Sequence, residues 1–206
     1  MEFRRHFVEY IHVETLVALR VATKGWNTVA DALIDEGVRS GELMVHDGKD
    51  IGPEDDETQQ EWRTRAIRVI FFLDITKVGG WACYAASNLV VVDIPEGVES
   101  VGEHAFHGCL SLTTLSFPRT LTYIGDYAFY RSYSLDNVNL LHTNLQELKY
   151  MAFDGCSNLT SMTIPESLQT LGLSVFRHCK KLVPSNVNPN DTKAVVDYLQ
   201  SNQTQS

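Results

Sequence analysis

Val98-Glu99-Ser100-Val101-Gly102-Glu103-His104-Ala105-Phe106-His107-Gly108-Cys109-Leu110-Ser111-Leu112-Thr113-Thr114-Leu115-Ser116-Phe117-Pro118 is one unit of a pattern that runs through most of this 206-residue chain. The next unit places Leu121, Ile124, Gly125, Ala128, Phe129, Ser132, Leu135, Val138 and Leu140 in the same slots. A third gives Leu145, Leu148, Ala152, Phe153, Cys156, Leu159, Met162, Ile164 and Pro165, and a fourth Leu168, Leu171, Gly172, Val175, Phe176, Cys179 and Leu182. Upstream, Ile75, Val78, Gly79, Ala82, Cys83, Leu89, Val92, Ile94 and Pro95 form the first of the five. The small residues Ala82, Ala105, Ala128, Ala152 and Val175 are 23, 23, 24 and 23 apart. A fixed period of this length is the mark of a repeat architecture.

Within a unit, Leu112-x-x-Leu115-x-Phe117 ends in period-2 alternation, which reads as a short strand closed by Pro118 where no ladder N–H is needed. Val101-Gly102-x-x-Ala105-Phe106-x-x-Cys109 is too short for a full helix and reads as a turn followed by a helical or 3-10 twist. A single unit buries almost nothing, whereas stacked units bury Phe on Phe and Leu on Leu, so the chain is read as a solenoid. Gly102, Gly125 and Gly172 share a slot, which predicts a turn needing positive φ. Lys149 occupies the same slot in a unit that carries one extra residue at Leu140-Leu141-His142-Thr143-Asn144 and no proline, so a bulge and a strained Lys149 are expected there.

From about Arg68 to Val187 these residues resemble the BspA-type leucine-rich repeat, whose unit reads hydrophobic, Ile-Gly, Ala-Phe, Cys, Leu-x-x-Leu/Val-x-Ile-Pro. The resemblance implies an α/β fold: a right-handed leucine-rich repeat solenoid of about five 23-residue coils, parallel strands on one face and short helical segments on the other, with an α-helical N-terminal cap.

Composition narrows the function classes. The chain is 44% hydrophobic and 21% charged, with a formal net charge of -9, an ordinary globular balance. Sequence-independent nucleic-acid binding needs a basic stripe, so no nucleic-acid partner is expected. Apolar runs such as Val69–Leu73 and Leu89–Val92 fall short of the ~20 residues of a membrane-crossing helix, and no membrane partner is expected. The opening Met1-Glu2-Phe3-Arg4-Arg5-His6 has no apolar core of signal-peptide length, which predicts an intracellular protein, cytoplasmic or nuclear.

Five segments follow. Residues 1–50 are read as a helical cap: Phe3, Phe7 and Tyr10 or Ile11 make one stripe over Glu2 to His12, and Leu16, Leu19, Trp26 and Leu33 recur at helical spacing over Thr15 to Glu36, ended by Gly37. Leu16-Val17-Ala18-Leu19-Arg20-Val21-Ala22-Thr23-Lys24-Gly25-Trp26 is similar to the second half of an F-box, and that resemblance implies docking of a Skp-type adaptor through Leu16, Leu19 and Trp26. Residues 51–66 are an acidic linker or capping segment centred on Glu54-Asp55-Asp56-Glu57. The solenoid spans 67–188, its first strand within Trp62 to Leu73, since Val69 and Phe71 precede Val92 and Ile94 by 23 residues. Residues 189–200 are a capping helix with Asp191 as N-cap and Val195, Val196 and Leu199 on its apolar side. Residues 201–206 are a disordered tail.

Catalytic motifs are missing: no Gly-rich phosphate loop, no Gly-x-Ser-x-Gly and no His-Glu-x-x-His. No enzyme activity and no cofactor are expected. His104-Ala-Phe-His107-Gly-Cys109 gathers metal-ligand types, but Cys109 occupies an inward slot shared with Cys156, Cys179, Ser132 and Ala86, so no metal site is assigned. Cys156 and Cys179 fall on adjacent coils, within disulfide reach in an oxidised sample.

Two faces remain as partner surfaces. The helical face carries the column Trp81, His104, Tyr127 beside Tyr84, His107, Tyr130, and interfaces favour such rings. The strand face shows Asp93, Thr114, Ser116, Asn137, Asn139, Ser161 and Thr163, small polar residues that suit solvated strands as well as a partner. The expectation is a noncatalytic protein-interaction module binding a protein of unknown identity, as an intracellular adaptor or scaffold and, in a narrower form, substrate recognition for a cullin-type ubiquitin ligase. The rival is a secreted or surface leucine-rich repeat adhesin.

Overall fold

Each repeat holds two short extended stretches, and both are strands in the computed structural model, which describes residues 43–46, 68–71 and 75–203. One series comprises β1 (Leu43–His46), β2 (Arg68–Phe71), β4 (Val91–Asp93), β6 (Thr114–Ser116), β8 (Asn137–Asn139) and β10 (Ser161–Thr163). The other comprises the two-residue strands β3 (Lys77–Val78), β5 (Ser100–Val101), β7 (Tyr123–Ile124), β9 (Glu147–Leu148) and β11 (Thr170–Leu171). A helix, α1 (Thr192–Gln203), follows. The first series forms sheets in the orders β1-β2-β4-β6 and β10-β8, the second one sheet in the order β11-β9-β7-β5-β3. Pairing is parallel and one repeat out of phase, as in Val92↔Leu115 and Val101↔Ile124. Arg68 pairs with Val91 in the register read from the sequence.

The parallel solenoid is the expected one, and two features refine it. A second sheet replaces loop at Ser100–Val101 and its counterparts. The segment opposite is a run of turns rather than a helix: Ala105 N–H donates to Gly102 O, His107 to His104, Cys109 to Phe106 and Leu112 to Cys109, at 3.4, 3.2, 3.4 and 3.2 Å. A helix cannot propagate through it because two residues per coil, four apart, have left-handed backbone: Trp81 and Ala85, His104 and Gly108, Tyr127 and Arg131, Met151 and Gly155, Ser174 and His178. Left-handed conformation costs an L-residue about 1–2 kcal/mol. It turns the peptide planes so that these segments bond between coils: His104 N–H to Asp126 O at 2.9 Å, Phe106 N–H to Ala128 O at 2.7 Å and Gly108 N–H to Tyr130 O at 2.8 Å.

Gly102, Gly125 and Gly172 are not among the residues at positive φ. The turn chemistry expected there is therefore wrong, and the reason for glycine is steric. A Cβ at Gly102 would lie 2.5 Å from Gly80 N, at Gly125 2.8 Å from Glu103 N, and at Gly172 2.4 Å from Lys149 C. The coils touch backbone to backbone at this column. Lys149 is likewise outside the left-handed region, so the strain predicted for it is absent. The extra residue of its repeat forms a turn in which Thr143 is buried and its Oγ1 donates to Leu140 O at 2.8 Å, while His142 Nε2 lies 2.8 Å from Phe117 O. β8 and β10, on either side of the extra residue, remain paired, and the first series is interrupted one coil earlier, β6 and β8 falling in separate sheets.

Phe106, Phe129, Phe153 and Phe176 are fully buried and stack along the axis with centroids 5.2, 5.0 and 6.4 Å apart. Each contributes roughly 1.5–3 kcal/mol of burial. Beside them the Cys slot takes a short donor: Cys109 Sγ donates to Cys83 O, Cys156 Sγ to Phe129 O, Cys179 Sγ to Phe153 O and Ser132 Oγ to Phe106 O, at 3.3, 3.2, 3.1 and 3.1 Å. All four cysteines are free and buried, Cys156 and Cys179 included.

At the C-terminal end Asp191 caps α1, its Oδ1 accepting from Ala194 N–H at 3.1 Å, and Val195, Val196 and Leu199 are buried. Ser201 to Gln203, read as part of a disordered tail, are helical. Gln203 explains this: its Oε1 accepts from Ile164 N–H at 2.7 Å and its Nε2 donates to Ile164 O at 3.1 Å. Residues 204–206, the helical stretches read over 2–36 with Leu16, Leu19 and Trp26, and the acidic segment 51–66 lie outside the described residues. β1 falls inside residues 1–50, where the sequence reading contained no strand.

Candidate functional site

The left-handed slot of each coil carries the outer aromatic column. Trp81, His104 and Tyr127 have φ of 63, 55 and 56°, and their rings stack with centroids 4.1 and 4.7 Å apart, the second pair nearly parallel at 6°. Three residues on, Tyr84, His107 and Tyr130 form a second row at 4.7 and 4.8 Å. The rows join through Trp81–Tyr84 at 4.7 Å, His104–His107 at 5.1 Å and Tyr127–Tyr130 at 5.5 Å. All six sequence-predicted residues of this face thus come together, each half-buried. Rings stacked in this way cover one another's faces and leave their edges to solvent.

In the middle of the patch the two histidine Nδ1 atoms lie 2.9 Å apart, so one donates and the other accepts, and at least one ring is neutral. His104 Nε2 is 3.4 Å from Glu103 Oε1, which suits a proton on that nitrogen and leaves Nδ1 of His107 as donor. Burial lowers the pKa of His104, against the opposing pull of Glu103 and Asp126. Burial, then the charges of His104 and Arg131, lower His107 to about 4. The patch is therefore neutral and aromatic at physiological pH. Burial, then a hydrogen bond with Tyr150, raises the pKa of Tyr127.

Tyr150 went unnoticed in the sequence because it lies one residue before the ring slot; it packs edge-on to Tyr127 at 5.3 Å. Asp154 is a second side chain that the sequence did not single out. It occupies the slot of Tyr84, His107 and Tyr130 and is buried, with His178 Nδ1 2.8 Å from its Oδ1 and Arg177 Nε 3.2 Å from its Oδ2. The signal was there: an acid in a ring slot with Arg177, 23 residues later, in the same slot of the next coil.

On the strand face Asp93, Thr114, Ser116, Asn137, Asn139 and Ser161 are exposed and Thr163 half-buried. Their hydrogen-bonding groups are partly used between coils: Ser116 Oγ donates to Asp93 Oδ1 at 2.8 Å and Thr163 Oγ1 to Asn139 Oδ1 at 2.7 Å. Cys109, the third member of the His/Cys cluster, is fully buried, and among the described residues no group of three or more His, Cys, Asp or Glu is placed to hold a metal ion.

The pattern of the BspA type leucine rich repeat region matches residues 76–204 in six copies. Among solved structures, the chain is similar to a leucine-rich repeat protein from Bacteroides ovatus, with 26% identity, a TM-score of 0.56, and coverage of 68% of this chain and 36% of that one. It is also similar to the T. pallidum leucine rich repeat protein, at 24% identity, TM-score 0.47, covering 69% of this chain and 71% of that one. A leucine rich cell surface protein from Faecalibacterium prausnitzii gives 19% identity and TM-score 0.48 over 69% of this chain and 46% of that one. The chain thus spans about a third of the length of the Bacteroides protein. No curated protein matches it.

Proposed function

The chain belongs to the BspA-type leucine-rich repeat family, and we propose that its solenoid is a noncatalytic protein-interaction module whose partner surface is the aromatic column of Trp81, Tyr84, His104, His107, Tyr127 and Tyr130. The observation that carries this reading is the continuity of that patch: six half-exposed rings in unbroken contact over three coils. Tyr and Trp give large contact area at interfaces, and the energy of such surfaces concentrates in a few large side chains, Trp and Tyr foremost. Tyr127 and Tyr130 are the anchors. A solenoid presents this kind of extended surface without a deep pocket.

The test compares two double variants of the full chain as baits in affinity capture from the native cell, read by quantitative mass spectrometry with the melting temperature as control. Tyr127→Ser/Tyr130→Ser should reduce the captured partner at least tenfold, whereas Asn137→Ala/Asn139→Ala on the strand face should leave it unchanged. The reverse pattern would move the site to the strand face. An intracellular adaptor, cytoplasmic or nuclear, is the form we favour. Its narrower version, substrate recognition for a cullin-type ubiquitin ligase, rests on Leu16, Leu19 and Trp26 alone, and a pull-down of purified Skp-type adaptor by wild type but not Leu16→Asp is the result it requires.

A further inference from the structure

The sheet of two-residue strands ends on β11, and its outer edge repeats a hydrogen-bonding pattern that every earlier coil fills. Val78 O accepts from Gly102 N–H, Val101 O from Gly125, Ile124 O from Lys149 and Leu148 O from Gly172, at 2.9, 2.9, 3.0 and 2.7 Å. Two residues earlier, Glu99 O, Thr122 O and Gln146 O each accept two N–H groups from the next coil. Two residues past each glycine or lysine, the direction reverses: His104 N–H donates to Asp126 O, Tyr127 to Tyr150 and Met151 to Leu173. In the last coil the equivalent groups, Gln169 O, Leu171 O and Ser174 N–H, have no partner among the described residues. α1 covers β10 and the phenylalanine column but leaves a cleft of about 740 Å³ beside β11. Leu171 is only half-buried there, although Val78, Val101, Ile124 and Leu148 are fully buried, and Leu173 is 76% exposed, the most exposed large apolar side chain described.

We propose that this edge takes an extended segment of another polypeptide, an aliphatic residue followed by glycine, added in parallel to β11 as a sixth strand. An unpaired strand edge is a template for such addition, the main-chain bonds giving affinity and the side-chain pockets specificity. The occupant's chemistry follows from continuity with the coil-to-coil interface. Three of the four preceding edges take an aliphatic-glycine pair, the aliphatic side chain entering the core and the missing Cβ allowing backbone contact. Leu168, Leu171 and Val196 line the cleft for the aliphatic group, and its charged members, Asp191 and Lys193, balance, so the segment carries no required charge. Tyr127 and Tyr130 do not line the cleft, which makes this surface separate from the aromatic column.

The experiment titrates the full chain into a fluorescein-labelled peptide of residues 120–126, Thr-Leu-Thr-Tyr-Ile-Gly-Asp, the segment that the Val101 edge already accepts. Saturable binding is expected, at least tenfold weaker when the glycine nitrogen is methylated, because the N–H destined for Leu171 O is removed. The exposed Leu173→Lys should weaken it at least fivefold without loss of fold, Tyr127→Ser/Tyr130→Ser should not change it, and the Ser174 amide should become protected from hydrogen exchange in the complex. Absence of saturable binding, indifference to N-methylation, or an unprotected Ser174 amide would overturn the proposal. So would self-association of the chain that excludes the peptide, since it would give the edge to a second copy.

Discussion

Gly125 and Tyr127 stand two residues apart in one turn and answer to opposite constraints. The glycine column, Gly102, Gly125 and Gly172, has backbone that any residue adopts, and it is glycine because the next coil's backbone fills the place of a Cβ. The ring column, Trp81, His104 and Tyr127, has the left-handed backbone that favours glycine, yet carries aromatic side chains. Space decides the first column and inter-coil hydrogen bonding the second. Left-handed backbone recurs in the ring column of every coil, and the column where coils meet admits one side chain, Lys149, in the coil that carries the extra residue.

The largest effect that bears on this contrast concerns the buried ladder that both columns flank. Phe129→Ala removes a ring stacked on both sides and should cost about 3–5 kcal/mol in denaturant unfolding. Phe176→Ala, stacked on one side by Phe153, should cost less. Equal midpoints for the two would break the nearest-neighbour account of the stack.

Two glycine substitutions then separate the causes. Gly125→Ala forces a Cβ to within 2.8 Å of Glu103 N and should cost about 2–3 kcal/mol, the scale of overpacking. Gly108→Ala meets nothing closer than 3.7 Å but sits at φ +72°, so its cost should be only the left-handed penalty of about 1 kcal/mol. A larger loss at Gly108 than at Gly125, by thermal or chemical melting, would reverse the assignment.

Acid should act on the ring column and spare the glycine column. His107, with its pKa lowered to about 4 in the fold, binds a proton less readily there than in the unfolded chain. Its contribution is complete above the ordinary histidine pKa of ~6.5 and is lost as pH falls from there through about 4. Because the ring is half-exposed, the loss should be about 1 kcal/mol. The difference in stability between wild type and His107→Gln, followed over that window, should shrink as pH falls; a flat difference would remove the coupling.

The smallest effect is at Lys149. With ordinary backbone there, Lys149→Gly relieves no strain and adds flexibility to the unfolded chain, so it should destabilise by about 0.5–1 kcal/mol. A gain in stability would restore the strained turn that the sequence suggested.

The 23-residue period placed the apolar slots of the core, because a stacked coil must present the same apolar residue to its neighbours each time. That is why Phe106, Phe129, Phe153 and Phe176, the Cys slot and the six rings of the outer column were legible as residues, while the Asp191 cap was legible from N-cap chemistry alone. What period and composition could not carry was backbone conformation. A glycine needed for close approach and a glycine needed for positive φ look alike in sequence, and most of the left-handed residues are not glycines. The second sheet was hidden for a related reason: strands of two residues are too short to show alternation. The open edge of β11, the pairing of His104 with His107 and the buried Asp154 depend on which groups the stack leaves facing one another across coils. A linear pattern records which residues recur; only the stacked backbone decides which of their hydrogen-bonding groups and faces are already taken.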